Sequence, residues 1–316
     1  MPRQRILFFG SGAFGLPTLE RLTDRHHLLA VFTQPSRPAG RKRVLTPTPV
    51  AAWAMQRGLP VHEAVDVNAD VEVARIAAYG ADASVVIAFG QKLAPATLLT
   101  MGRLAINLHG SLLPAYRGAA PVQRAVMDAV PTSGVSVIGM AQTMDAGDVY
   151  GQASLRIGAD QTSGDVHDAL AALGPDAVLE VLDDLAAGTL HPLPQPAGAT
   201  RAPKLTKAEG TLEFDQPAER VRARINGLNP WPGCRVVRLR DGVNEPAVEL
   251  MLRRADRSDG AAETSTTGGV DAEGRVRCAD GSVRILEVQR PGRNVVPWAA
   301  FAASGWRAGD RFNPIG

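Results

Sequence analysis

The opening of the chain constrains the fold more than any other stretch. Ile6-Leu-Phe-Phe9 is an unbroken apolar run, followed by Gly10-Ser-Gly12-Ala-Phe-Gly15 and then by Leu16, Leu19 and Leu22 at helical spacing. A continuous apolar run suits a strand covered on both faces, which is the usual situation in a parallel sheet. Parallel strands need crossover connections, so helices must alternate with them.

That alternation continues. Strand His27–Phe32, helix Val50–Arg57, short strand Leu59–His62, helix Asp70–Tyr79 and strand Ala83–Ala88 lead to a strand over 104–108. Helix Ala119–Ala129, strand Gly134–Ala141 and a capped helix from Thr162-Ser-Gly-Asp165 through Leu182 follow. The pattern predicts an α/β fold with a Rossmann-like, doubly wound, mainly parallel sheet. The G-x-G-x-x-G turn also invites a dinucleotide reading, which for NAD wants an acid about twenty residues on. No carboxylate occurs between Asp24 and Glu63, although Ser36 and Arg37 can serve NADP. The motif therefore speaks for the fold more than for a nucleotide.

A chain of 316 residues, 45% hydrophobic and 21% charged, makes one large or two medium domains. Proline-rich His191-Pro-Leu-Pro-Gln-Pro196 marks the expected boundary, giving a first domain over 1–189, a linker over 190–205 and a second domain over 206–316. After helix Ala218–Gly227, short runs at 235–240, 246–253, 274–278 and 282–288 predict a smaller, OB-like antiparallel β-barrel. Ser258–Gly269 is small and polar and is expected to be mobile.

Net charge is only +2, but six Lys/Arg and no acid fall between Arg25 and His62, and residues 201–316 carry 19 basic against 15 acidic side chains. Arg220, Arg222, Arg224 and Arg235, with the rigid turn Asn229-Pro-Trp231-Pro-Gly233, make the second domain basic. Such fields suit a phosphate-rich partner, and equally a solvated basic face. Cys234 and Cys278 lack neighbours at metal-ligand spacing and are expected to be reduced, structural thiols. No apolar run is long enough to span a membrane, and the first strand leaves no room for a signal peptide, so a cytoplasmic protein is expected.

Chemistry concentrates after the strand over 104–108. Residues i and i+2 of a strand share a face, so Asn107 and His109 point into one pocket at the carboxyl end, where open α/β sheets bind ligands. Gly110, Pro114 and Gly118 then impose a longer, more constrained loop than a simple crossover needs. A second polar turn, Asp145-Ala-Gly-Asp148, is by itself a metal site, an acid/base site or a plain turn.

Taken together, Asn107-Leu-His-Gly-Ser-Leu-Leu-Pro114, Arg117-Gly-Ala-Ala-Pro121 and Met144-Asp-Ala-Gly-Asp-Val149 resemble the signature of the folate-dependent formyltransferases. Thr33-Gln-Pro-Ser-Arg37-Pro-Ala-Gly-Arg41 is similar to the insertion that the tRNA-acting members hold against an acceptor stem. The resemblance implies transfer of a formyl group from 10-formyltetrahydrofolate, a cosubstrate, to the amino group of initiator methionyl-tRNA through a tetrahedral intermediate, with no metal. It further implies that Asn107 and His109 donate to the developing oxyanion, that His109 moves protons, and that Asp145 orients it.

By the same resemblance Ser111, Leu112, Leu113 and Pro114, with Val86, Ala88, Phe89 and Gly90, hold the folate. Arg37, Arg41, Lys42 and Arg43 meet the acceptor end. Phe14 either contacts the substrate side chain or simply packs the first helix. A monomer is expected. Two alternatives stand beside this: a formyltransferase for a sugar nucleotide or other small amine, and an NADP-dependent oxidoreductase or nucleotide-binding module resting on Gly10–Gly15 alone.

Overall fold

The computed structural model describes residues 3–40, 43–240 and 247–315. Two compact units arise, one from Met1–Gly118, Gly134–Leu155 and His167–Arg201, the other from Ala119–Ser133, Arg156–Val166 and Ala202–Gly316. In chain order the elements are β1 (Arg5–Gly10), α1 (Leu16–Arg25), β2 (His27–Thr33), β3 (Arg37–Ala39), β4 (Val44–Thr46), α2 (Pro49–Gln56), β5 (Val61–Glu63), α3 (Asp70–Tyr79), β6 (Ala83–Ile87), α4 (Pro95–Leu98), β7 (Leu104–His109) and β8 (Arg117–Gly118). There follow α5 (Pro121–Met127), β9 (Thr132–Gly139), β10 (Val149–Arg156), α6 (Ser163–Ala187), β11 (Arg201–Ala202), α7 (Ala218–Gly227), β12 (Cys234–Arg240), β13 (Val248–Arg257), β14 (Arg275–Arg277), β15 (Ser282–Gln289), β16 (Val295–Pro297), α8 (Trp298–Gly305) and β17 (Asp310–Pro314).

The first unit is built on a seven-stranded sheet in the order β10-β9-β7-β6-β1-β2-β5. β5, β2, β1, β6 and β7 run parallel, and β9 joins β7 antiparallel. Residues 6–10 of β1 are all buried, as a central strand covered on both faces requires. Phe9 stacks on Phe32 with centroids 4.8 Å apart and meets Phe89 edge-on at 5.7 Å, so the core of one face reaches up to the turn that follows β6.

Two elements of this unit depart from the expectation. The basic segment after β2, to which the sequence pattern gives neither strand nor helix, is a short hairpin in which Arg37 pairs with Thr46, Pro38 with Leu45 and Ala39 with Val44. Gly40 and Arg43 take positive φ at its turn. β10 was not foreseen; it is an edge strand whose burial alternates with polar positions, so it lacks the continuous apolar run that reveals β1 or β6.

In the second unit β14-β15-β13-β12-β17 form an antiparallel sheet, with β16 added beside β15. Gly269 bridges Arg311 of β17, and Val270 bridges Val276 of β14, so the two ends of the sheet are joined into a barrel. The end of the stretch expected to be mobile is therefore a structural closure. Asp310, fully enclosed, pairs with Arg240 at 2.8 Å and faces Arg238 at 3.7 Å. α5 clusters with this unit, where Arg124 bonds Glu209 and the backbone of Met127 comes close to Gly227. None of the described helices is long and apolar enough to cross a membrane.

Candidate active site

Three turns at the carboxyl ends of β1, β2 and β6 are stitched together by Ser11. Its hydroxyl donates to the Phe89 carbonyl (3.0 Å) and accepts from the Gln34 amide (3.1 Å), while the Ser11 and Gly12 amides both donate to the Ala88 carbonyl. The G-x-G-x-x-G turn thus directs its first amides to main chain, whereas a dinucleotide site leaves them open to a pyrophosphate. Glycine is needed for contact: a Cβ on Gly10 would lie 2.5 Å from the Phe8 ring and 2.9 Å from the Ile87 carbonyl. The motif is accounted for by packing, and the oxidoreductase alternative loses its only support.

The turn after β6 offers a shallow rim. Ala88 (φ 48°) and Gly90 (φ 82°) are exposed in left-handed conformations, while Val86 and Phe89 are buried beneath them. Across from this, on β7, Asn107 is half-buried and its side-chain amide makes no hydrogen bond among the described residues. An amide held at a strand end with its donors uncommitted suits an incoming carbonyl oxygen.

His109 is buried, and its Nε2 donates to the Tyr116 carbonyl at 2.9 Å. Its Nδ1 faces Asp145 Oδ1 at 3.7 Å, so the structure brings together the imidazole at a strand end and the carboxylate that the sequence places in a separate turn. The other oxygen of Asp145 accepts from the Gly118 amide at 2.8 Å. Both ring nitrogens therefore face acceptors of the protein, and donation to a substrate exchanges one of these contacts for a bond to it. Asp145 itself has φ 54°, a conformation that costs a non-glycine residue and needs support from its surroundings. Asp148 has an exposed side chain and contributes to the turn through its carbonyl, which accepts from Gly139. A Cβ on Gly147 would run into the Gly139 carbonyl, which explains the glycine between the two acids.

The loop after β7 is fixed from within. Ser111 Oγ donates to the Ala115 carbonyl (2.6 Å), and Leu113 packs with Ile138 and Val149. Ser136 on β9 donates to the Ser111 carbonyl (2.7 Å) and accepts from the Leu113 amide (3.0 Å) and from Gln152 (2.7 Å). Of the four loop residues, Leu112 and Pro114 remain partly exposed, while Ser111 and Leu113 act on the loop's shape. Phe14 is buried, its ring edge-on to His167 at 5.2 Å, so it packs against α6. Arg37 is exposed on the hairpin, bonded to Gln34 at 2.9 Å, and Arg43 is exposed at its turn. Arg41 and Lys42 lie outside the described residues. The supports supplied by Tyr116, Gly118, Ser136 and Gln152 are main-chain or ordinary polar groups that carry no signal in the sequence.

Known proteins resemble this chain along nearly its whole length. Residues 4–182 match the formyl transferase family and residues 204–305 its C-terminal domain, and the chain belongs to this family. Among curated relatives, the methionyl-tRNA formyltransferase of Ectopseudomonas mendocina is 40% identical over 292 residues, 91% of this chain and 90% of that protein. The methionyl-tRNA formyltransferase of Chromohalobacter salexigens is 42% identical over 298 residues, again 91% and 90% of the two chains. In fold the chain is similar to an N-formyltransferase from Helicobacter canadensis crystallised with folinic acid and dTDP-3-aminofucose, at TM-score 0.65, 12% identity, and 92% and 99% coverage.

Proposed function

We propose that this protein transfers the formyl group of 10-formyltetrahydrofolate to the amino group of initiator methionyl-tRNA. The observation that carries the reading is the uncommitted Asn107 amide beside the His109–Asp145 pair, set on the end of β7 and the turn after β9, in a chain about two-fifths identical to enzymes named for that reaction. The folate supplies an activated formyl carbon. Asn107 donates to the formyl oxygen as negative charge gathers on it, a contribution of about 3–4 kcal/mol at comparable sites. His109, released from the Tyr116 carbonyl, handles the proton between attacking amine and leaving nitrogen, and Asp145 holds the ring in line.

The exposed rim of Ala88 and Gly90, underlain by Val86 and Phe89, and the loop Ser111, Leu112, Leu113, Pro114 form the folate side. Phe14 borders the aminoacyl side. Arg37 and Arg43 on the hairpin, with Arg41 and Lys42 between them in the sequence, meet the acceptor end, and residues 206–316 hold the body of the tRNA, with catalysis confined to 1–189. The protein works as a monomer in the cytoplasm.

A panel of aminoacyl-tRNAs incubated with 10-formyltetrahydrofolate, with a dTDP-amino sugar as the competing acceptor, tests the reading. Formyl-methionyl-tRNA is the expected product. Replacing Arg41, Lys42 and Arg43 together by alanine should weaken methionyl-tRNA formylation and flatten its salt dependence while leaving folate affinity intact. An unchanged salt slope, or faster formylation of the sugar, would overturn it.

A further inference from the structure

The proline-rich stretch His191-Pro-Leu-Pro-Gln195-Pro196 reads as a spacer, yet it does not behave as one. Every residue from 191 to 200 is exposed except Gln195, which is drawn in to half-buried. Its amide is saturated. Oε1 accepts from Nε (3.0 Å) and Nη2 (2.6 Å) of Arg117, and Nε2 donates to the carbonyls of Asp145 and Gly147, each at 2.8 Å. An amide has two donors and two acceptor sites, and all four are used. Turning it over would set oxygen against two carbonyls and hydrogens against a guanidinium, so the orientation is fixed by its neighbours.

The stretch is pinned on both sides of Gln195. Leu193 exchanges two main-chain bonds with Val149 at the start of β10, 2.8 and 2.9 Å. Thr200 accepts from the Tyr116 amide through Oγ1 (2.8 Å) and from the Arg117 amide through its carbonyl (2.9 Å). Tyr116 is the residue whose carbonyl holds His109 Nε2, and Asp145 is the residue whose main chain Gln195 grips. Pro192, Pro194 and Pro196 fix φ and remove N–H donors, which keeps the segment extended and blocks its absorption into a helix.

We infer that residues 193–200 form a strap across the active site, in which Gln195 is a positioning residue for Asp145 and Thr200 for the Tyr116 carbonyl beneath His109. The inference rests on the reading of His109 and Asp145 as the catalytic pair. Among the described residues two hydrogen bonds reach Asp145 in its positive-φ turn, the Gly118 amide on its carboxylate and the Gln195 amide on its carbonyl, and the second comes from outside the two signature loops. Loss of the Gln195 donors frees the turn to relax and carries the carboxylate out of line with the imidazole, while the folate and tRNA surfaces stay where they are.

The test is a double-mutant cycle with single-turnover kinetics. Gln195→Ala in the wild-type background should lower the rate of formyl transfer by about 10- to 100-fold, the scale set by small misplacements of catalytic groups. KM for both substrates should move less than about twofold if binding surfaces are untouched. Gln195→Glu keeps the volume and the Arg117 contact but cannot donate to the two carbonyls, and should match Gln195→Ala in rate with the fold intact. In an Asp145→Asn background the same Gln195→Ala change should cost little further. Thr200→Val should lower the rate and Thr200→Ser should restore it.

Equal costs of Gln195→Ala in both backgrounds, or a loss carried wholly by KM, would overturn the strap while leaving the catalytic pair standing. Wild-type turnover in a folded Asp145→Asn variant would overturn the pair itself, and the strap with it.

Discussion

Asn107 and His109 differ in what the protein asks of them. The amide of Asn107 has no hydrogen-bond partner among the described residues, so removing it breaks no hydrogen bond among them. Asn107→Ala should leave the melting temperature close to wild type and lower kcat by two to three powers of ten, about 3–4 kcal/mol of transition-state stabilisation. His109 is buried and bonded at Nε2, so His109→Ala opens a cavity and should cost both turnover and some stability. His109→Gln, which can still donate to the Tyr116 carbonyl, should recover the stability without the turnover. Comparing kcat with thermal midpoints for the three variants checks the division; a stable His109→Gln enzyme with full turnover would remove the proton-handling role.

At the scale of elements, the loop after β7 is shaped by β9 and β10. Ser136 is fully buried and gathers the Ser111 carbonyl, the Leu113 amide and Gln152 around one hydroxyl. Ser136→Ala strands a buried N–H and a buried carbonyl, at a cost of about 1–3 kcal/mol in stability. If that loop lines the folate, KM for 10-formyltetrahydrofolate should rise while KM for methionyl-tRNA holds. Equal shifts in both would detach the loop from the folate side. The hairpin of β3 and β4 carries Val44 and Leu45 at 61% and 66% exposure beside its basic residues, so apolar as well as charged contacts are on offer to a partner there.

For the whole molecule, acid should act in two stages. His26 and His62 lie in the first unit, and burial, foremost, pushes both imidazoles below the ordinary 6.5. The folded chain prefers the neutral rings and the unfolded chain takes up protons first, so stability present above pH 6.5 is lost as pH falls below it. In the second unit the Arg124 and Arg222 hydrogen bonds, respectively, hold the Glu209 and Glu219 carboxyls below their ordinary 4.5. Their contribution is present above that value and lost as pH falls through the lower folded values. Denaturation midpoints between pH 8 and pH 3 should therefore decline first below pH 6.5 and again below 4.5. A His26→Gln, His62→Gln variant should lose the first decline, and a flat profile from pH 7 to pH 5 in the wild type would contradict the burial of the two rings.

What the sequence alone determines is local. A run of apolar residues, a helical spacing or a two-residue alternation records burial along a single element. β1, α3, β6, β7 and α7 were accordingly legible within a residue or so, and Asn107 and His109 could be placed on one face of one strand. Elements whose burial is partial or whose pairing is remote were not legible, as β10, the hairpin, β16, α8 and β17 show. The fold alone decided the rest of the site. The approach of Asp145 to His109 requires β7 and the turn after β9 to meet, and Gln195 gains its place only because a strap returns across both. The glycines of the first turn serve close packing against Phe8 and Ile87 for the same reason: hydrogen bonds and contacts between distant loops leave no period in the chain that makes them.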